Sequence, residues 1–367
     1  MGPRHILVGG GGGESKTGVS NLMQTYLLTF EKKAVLKCST PMQAKLVGTI
    51  DTDVYATMNM DVVCYSNPEK GRYLIAAGHG QYCDVYETTG YSVGKDDSDK
   101  DALVYNIRNV GRLTTSEKVE SFQKCVRFDH STAGKRVVTG GEDGRVRVSL
   151  LFKNPETVHQ PILDIEAHKS DVFDIDISLD GRVIVSVGHD GVAKMWDMNL
   201  GTLIQEVPFP TECKSGYKVR SIRCTPLGSG SNLVFVAGYN PVSLSAKHVS
   251  YLSLWAYSRE RQSLRIVVLR STGQADNTHG IFVTAVEFLD RTAPDVLSLV
   301  PQPTSGNPRQ IPGPGSCARA SIISLSADQT IQVHNLLFDT SSTSLFLIKL
   351  FFISTVVYYV IWYISFF

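Results

Sequence analysis

Residues 6–21 read ILVGGGGGESKTGVSN, an apolar run that opens into five glycines and then Lys16-Thr17. That order invites comparison with the phosphate-cradling loop G-x-x-x-x-G-K-[ST], whose backbone amides and lysine hold nucleotide phosphates. Counting back from Lys16 puts Gly10 correctly but leaves Ser15 where the second glycine must stand. The continuation through Gly18, Val19, Ser20 and Asn21 to Tyr26–Phe30 reads as strand, so no helix N-terminus is expected to receive a phosphate. What the glycines do permit is close convergence of backbone carbonyl and amide groups, which can form a stiff nest or a cation site. A stiff, protruding loop of that kind is a probe for a partner. A second set with chemical potential is His168, Ser186 and Asp190, a Ser/His/Asp composition that resembles a hydrolase triad. The seven cysteines (38, 64, 83, 125, 213, 224 and 317) are scattered with no C-x-x-C pair, which argues for buried reduced thiols rather than zinc or a redox dithiol.

The elements that must position these residues are strands. Residues 167–197, AHKSDVFDIDISLDGRVIVSVGHDGVAKMWD, alternate apolar and polar positions and turn at Asp180-Gly181, as a WD-repeat blade does. Strands are expected at Val172–Ile177, Val183–Val187 and Ala193–Trp196. The same grammar, more decayed, runs through 125–150 with Ser149 in the tryptophan slot, through 219–255, and through 283–289 with 321–336. It recurs in 58–86 and in part in 5–30. About six units are readable, where closed propellers have four to eight blades. Between Trp255 and Ile281 only Leu264–Leu269 looks like strand, so a whole blade is expected to be missing there. The fold class is therefore all-β, a WD-repeat β-propeller over residues 1–338.

After a short linker at 339–344, Leu345–Phe367 reads LFLIKLFFISTVVYYVIWYISFF with Lys349 as its only charge. That is about the 20 apolar residues a membrane-crossing helix needs, with Tyr358, Tyr359, Trp362 and Tyr363 suited to an interface. With nothing after Phe367, the span would leave the preceding domain facing the cytosol. No N-terminal apolar stretch reads as a cleaved signal, and no Asn-x-Ser/Thr sequon occurs. The 367 residues carry 36 Lys and Arg against 35 Asp and Glu, a formal charge of +1, so the overall field offers nucleic acid no attraction and no nucleic-acid partner is expected. Arg145, Arg147 and Lys153 make one local basic group, read mainly as a solvated strand edge.

Taken together, Gly10–Asn21, the phrase Tyr55-Ala56-Thr57-Met58-Asn59-Met60, the repeats and the terminal anchor resemble the prolactin regulatory element-binding protein family. Its members are WD-repeat guanine nucleotide exchange factors of the endoplasmic reticulum. They act on a Sar-type small GTPase to start COPII coat assembly, and have seven blades. The resemblance implies that the loop binds a structural potassium ion through main-chain oxygens of Gly10, Gly11, Gly12 and Gly13 with Asn21. It also implies that Asn21, Lys16, Thr17 and Gly18 face the GTPase. Within the best repeat it assigns a structural tetrad: Asp190 to His168, His168 to Ser186, and Ser186 to the Trp196 indole. Yeast-type relatives have a proline where this chain has Ser20. The competing readings are a membrane-tethered WD-repeat scaffold without exchange activity and a transcriptional regulator that binds a promoter element. An exchange factor breaks no covalent bond, so no catalytic acid, base or nucleophile is required.

Overall fold

A computed structural model describes residues 5–15, 18–30, 42–66, 70–116, 121–151, 161–225, 232–242, 249–271, 283–288, 318–326 and 331–337. These residues build six antiparallel sheets, each a meander of strands consecutive in sequence. The first holds β1 (His5–Gly10), β2 (Leu22–Phe30) and β3 (Met42–Asp51). The second holds β4 (Asn59–Cys64), β5 (Tyr73–His79), β6 (Tyr82–Lys95) and β7 (Asp101–Thr114). The third comprises β8 (Gln123–Phe128), β9 (Arg136–Gly141), β10 (Arg145–Leu150) and β11 (Leu163–Glu166). The fourth comprises β12 (Val172–Ile177), β13 (Val183–Gly188), β14 (Ala193–Asp197) and β15 (Leu203–Val207). The fifth runs β16 (Tyr217–Cys224), β17 (Asn232–Pro241), β18 (Tyr251–Ser258) and β19 (Ser263–Ser271). The sixth has three described strands, β20 (Val283–Phe288), β21 (Ala318–Ser326) and β22 (Ile331–Leu337). The described residues fall in two compact units, one within 1–28 and 44–278, the other within 29–43, 279–294 and 302–367.

Within the first unit the sheets pack face on face in sequence order, the relation propeller-like sheets have. Leu7, Met23 and Ile50 of the first sheet meet Ile75, Ala77 and Tyr86 of the second. Val63, Leu74 and Val85 then meet Val126, Phe128 and Val137 of the third. Val146, Val148 and Ile165 bury against Val172, Ile175 and Trp196 of the fourth. Val185, Val187 and Met195 in turn bury against Ile222, Phe235 and Tyr239 of the fifth. The inner strands β5 and β13 are covered on both faces, which is why they are buried along their whole length rather than alternating. Aspartates on the first strand of a sheet reach across to backbone amides of the next: Phe128 N–H donates to Asp61 at 2.7 Å and Cys224 N–H to Asp176 at 2.7 Å. These bonds satisfy groups that would otherwise be buried without partners.

The pair β6 and β7 is longer than its neighbours at 14 residues each, and it bulges between Thr88 and Tyr91. Its outer half braces the first sheet. Lys45 pairs with Asp96 at 3.0 Å, and the Asp97 amide donates to the Leu46 carbonyl at 3.1 Å. His5 donates from Nε2 to the Leu103 carbonyl at 2.9 Å, and its ring lies edge-on to Tyr105 at 4.7 Å. Burial lowers the His5 pKa to about 4, against the opposing pull of the Leu103 carbonyl. A folded-state pKa below the unfolded value of about 6.5 means that the unfolded chain takes up the proton first, so stability is fully present above pH 6.5 and falls as pH drops toward 4. The loss at pH 5 is about 2 kcal/mol from this residue alone. Urea midpoints measured at pH 7 and pH 5 should therefore fall together with pH for the native chain, and less steeply for His5→Gln. Equal slopes would show that His5 is solvated.

The expected strands at Val172–Ile177, Val183–Val187 and Ala193–Trp196 correspond to β12, β13 and β14, and Leu264–Leu269 to β19, which pairs with β18. The apolar segment 345–367 lies outside the described residues. Among the described residues no helix is long and apolar enough to cross a membrane.

Candidate functional site

Two clusters were candidates for chemistry, and the structure gives them different characters. In the fourth sheet His168, Ser186, Asp190 and Trp196 come together. The Trp196 indole N–H donates to Ser186 Oγ at 2.8 Å, and Ser186 Oγ lies 2.8 Å from His168 Nε2. His168 Nδ1 lies 3.1 Å from Asp190 Oδ2. Burial holds the His168 pKa below the ordinary imidazole value, against the raising effect of Asp190. A neutral ring with its proton on Nδ1 satisfies the whole chain, with Ser186 donating to Nε2. Ser186 is fully buried and already accepts the indole, so no substrate can reach its oxygen. This is a structural relay, not a nucleophile.

Two other sheets bury polar clusters of their own. In the third, Arg147 Nη2 meets Asp143 at 2.6 Å, its Nη1 donates to the Thr115 carbonyl at 2.6 Å, and the residue is 6% exposed. In the fifth, the buried Tyr239 hydroxyl accepts both the Trp255 indole N–H and the Ser253 hydroxyl, each at 3.1 Å. The expectation of a solvated basic edge is thereby corrected for Arg147, while Arg145 keeps a partly exposed place at the edge. Arg147 is an interior partner of Asp143, and Arg145 is neutralised by Asp164 and Glu166, both at 2.8 Å. Lys153 lies outside the described residues.

The glycine loop is built differently. β1 ends at Gly10, which pairs with Leu22 at the start of β2, so both ends of the loop are fixed by the sheet. A strand, not a helix, follows the loop, which removes the phosphate-loop reading. Between the ends, Gly11, Gly13 and Gly18 take φ values of 148°, 65° and 81°, conformations that side chains resist. Gly12 N–H donates across the loop to the Val19 carbonyl at 3.2 Å. Gly18, Val19 and Ser20 are exposed. Lys16 and Thr17 lie outside the described residues.

Asn21 holds this arrangement. Its Oδ1 accepts the Gly13 N–H at 2.9 Å. Its Nδ2 donates to the carbonyls of Asp53 at 2.9 Å and Val54 at 2.8 Å, with the Gly13 carbonyl at 3.4 Å. The Asn21 carbonyl itself accepts from Thr52 N–H at 3.0 Å. One side chain thus ties the loop to the turn at 52–55, where Asp53 sits in the left-handed region at φ 59°. A Cβ on Gly11 would lie 2.2 Å from Asn21 Oδ1, so only glycine leaves room for the clamp. Glu14 adds a further tie by accepting from the Tyr55 hydroxyl, the main cause of that phenol's raised pKa.

The donor set also bears on a cation. The carbonyl oxygens of Gly13, Asp53 and Val54 converge on one amide nitrogen, and each keeps a second lone pair. Among the described residues no group of three or more His, Cys, Asp or Glu could hold a metal. Carbonyls without carboxylates suit a monovalent ion better than a divalent one. Gly10 contributes to the strand pairing; the turn residues Asp53 and Val54, which local sequence pattern does not single out, supply the carbonyls that Asn21 Nδ2 meets. They stand 32 and 33 positions from Asn21, and only the neighbouring phrase Tyr55–Met60 hinted at that turn.

Comparisons with known proteins bear on the repeat and on the broad family. A family model described as "WD domain, G-beta repeat" matches residues 159–197, the stretch that carries the relay. The chain is 26% identical over 273 residues to the rat protein named guanine nucleotide-exchange factor SEC12, covering 68% of this chain and 62% of that protein. It is 26% identical over 239 residues to the mouse protein of the same name, covering 59% and 54%. A shorter stretch of 111 residues is 32% identical to WD repeat-containing protein 91 of Xenopus tropicalis, covering 28% of this chain and 14% of that protein. The chain thus spans about 60% of the length of the curated exchange factors it matches. These matches support the Sec12 group, and none of them singles out the prolactin regulatory element-binding protein within it. The chain is similar to Sec12-type guanine nucleotide-exchange factors and carries a WD repeat in an architecture whose described residues form three- and four-stranded antiparallel sheets.

Proposed function

We propose that this chain is a guanine nucleotide exchange factor for a Sar-type small GTPase, acting at the endoplasmic reticulum membrane to start COPII coat assembly. The observation that carries the reading is the Asn21 clamp, which converts a glycine run into a stiff loop whose exposed residues 18–20 project beside the first sheet. Similarity to proteins named as exchange factors supports the same activity. Exchange works by differential binding. A surface that favours the nucleotide-free GTPase over the loaded one must, by linkage, weaken nucleotide binding. Lys16, Thr17 and Gly18 at the loop tip press on the phosphate-binding apparatus, and Asn21 keeps the tip from yielding. A potassium ion held by main-chain oxygens of Gly10–Gly13 with Asn21, as the family resemblance implies, would stiffen the loop further and lower the ordering cost of engagement. The apolar segment 345–367 supplies a single membrane anchor, with the strand-rich part in the cytosol, and so concentrates the chain with membrane-bound GTPase.

The test uses the full chain in detergent micelles with a Sar-type GTPase loaded with a fluorescent GDP analogue. Release should accelerate and saturate with chain concentration. A chain that binds the GTPase yet leaves release unchanged is a tethered scaffold, and the exchange reading falls. Replacing potassium by choline at constant ionic strength is expected to slow release severalfold. An unchanged rate would remove the ion from the account.

A further inference from the structure

Single exposed apolar side chains are ordinary on a protein surface. Two segments beside the glycine loop, however, invert the usual arrangement. At 57–58 the threonine is buried at 7% exposure, its hydroxyl has no hydrogen-bond partner among the described residues, and the adjacent Met58 is 73% exposed. At 121–122 Ser121 is 6% exposed with its hydroxyl likewise unpartnered, and Phe122 stands 43% exposed. Folding alone favours the opposite choice, because a buried hydroxyl without a partner and an exposed ring both cost free energy. Such local violations gather at sites selected for something other than stability.

The two segments are joined to the loop by contacts. Val54, 49% exposed, gives its carbonyl to Asn21 Nδ2 at 2.8 Å. The adjacent Tyr55 and the ring of Phe122 both flank Gly80, where an added Cβ would lie 3.4 Å from one and 3.7 Å from the other. Met58 N–H donates to the carbonyl of Gly78, two residues before Gly80, at 3.0 Å. Phe122 is held in place through its backbone N–H, which donates to Glu142 at 3.2 Å. Val54, Met58 and Phe122 are thus a strip of exposed apolar side chains carried on segments that these contacts tie to one another and, through Val54, to the clamp.

We infer that this strip is a second contact surface for the small GTPase, receiving an apolar patch of it, and that it sets how tightly the GTPase is held while the glycine loop sets how fast nucleotide leaves. The inference rests on the proposed exchange function for the choice of partner. A division of labour follows from the geometry: an apolar strip that touches loaded and empty GTPase alike contributes uniform binding, which changes affinity and not the maximal rate. A fixed aromatic such as Phe122 is the kind of side chain that dominates such contacts.

The experiment measures two quantities on the full chain in detergent micelles, the Kd for nucleotide-free Sar-type GTPase and the maximal rate of GDP release. Phe122→Ser should raise Kd about tenfold and Met58→Ser about threefold, with the rate at saturation within a factor of two of the native chain. Leu200→Ser, at a residue 72% exposed in a turn remote in sequence from the strip, should change neither. Thr57→Val removes the unpaired hydroxyl and should raise Tm without changing Kd; a lower Tm would show that the hydroxyl has a partner and would remove the premise. A Kd within twofold of native for Phe122→Ser and Met58→Ser combined, with Tm preserved, overturns the inference. If the native chain binds the GTPase but does not accelerate release, and Phe122→Ser still weakens binding, the exchange reading falls and the strip stands. If the native chain self-associates and Phe122→Ser dissolves the association, the strip belongs to a second copy and the inference is wrong.

Discussion

Ser186→Ala is expected to destabilise the chain by about 3 kcal/mol, out of proportion to the one oxygen it removes. Ser186 Oγ is the shared member of the relay, with Trp196 Nε1 and His168 Nε2 both 2.8 Å away. Alanine leaves an indole N–H and an imidazole nitrogen without partners in the space where β13 and β14 meet, and each orphan costs about 1–3 kcal/mol. Ser186 is 0% exposed and Trp196 6%, so solvent cannot replace the hydroxyl. Trp196→Phe removes a donor and orphans nothing of comparable strength, so it should cost less despite the larger change in side chain. Urea unfolding of the three proteins checks the order. A loss below about 1 kcal/mol for Ser186→Ala would show that the relay is not formed in solution.

The parts of the fold that were readable are those in which local pattern and tertiary burial agree. Residues 172–197 fall into short apolar-rich runs that turn at Asp180-Gly181, and the sheet buries those runs, β13 along its whole length. The outer half of β6 and the whole of β7 were not read, because Lys95–Asp101 is a polar turn and the strands beside it pack on another sheet rather than on a local core. The strand β3 and the outer strands β11 and β15 were missed as well; β15 is half exposed and carries little apolar signal. Arg147 was misread for a related reason. In β10 the valines at 146 and 148 mark one face as core, but the opposite face, with Arg147 and Ser149, is also buried, and a charged residue there gives no sign that its partner is Asp143. The glycine loop was legible as an unusual loop, and Asn21 as a residue of interest through family resemblance. The role of Asn21 as a clamp was not, because its acceptors on Asp53 and Val54 come from a distant turn that no local periodicity links to it.

The clamp leads to the second large effect. Asn21→Ala removes the acceptor for Gly13 N–H and the donor to the Asp53 and Val54 carbonyls. These groups are partly solvated, so the loss of stability should be only about 1 kcal/mol. The loop, however, loses its tie to the turn at 52–55, and a loop that must be ordered afresh on each encounter spends binding free energy that would otherwise displace nucleotide. A tenfold or greater fall in the accelerated release rate is expected, equivalent to about 1.4 kcal/mol of lost differential binding. Asn21→Asp should not rescue it, because a carboxylate faces the carbonyl oxygens of Asp53 and Val54 instead of donating to them. Gly11→Ala should reproduce the defect without touching Asn21, since the new Cβ would lie 2.2 Å from Asn21 Oδ1 at a backbone φ of 148°.

The most direct measurement is the maximal rate of GDP release from a Sar-type GTPase with the full native chain, Asn21→Ala and Gly11→Ala, each checked for Tm. The account predicts accelerated release by the native chain and a fall of tenfold or more in both variants, with Tm nearly unchanged. Release by the two variants at the native rate would contradict the claim that the Asn21-clamped loop drives exchange, and no acceleration by the native chain would contradict the exchange function itself.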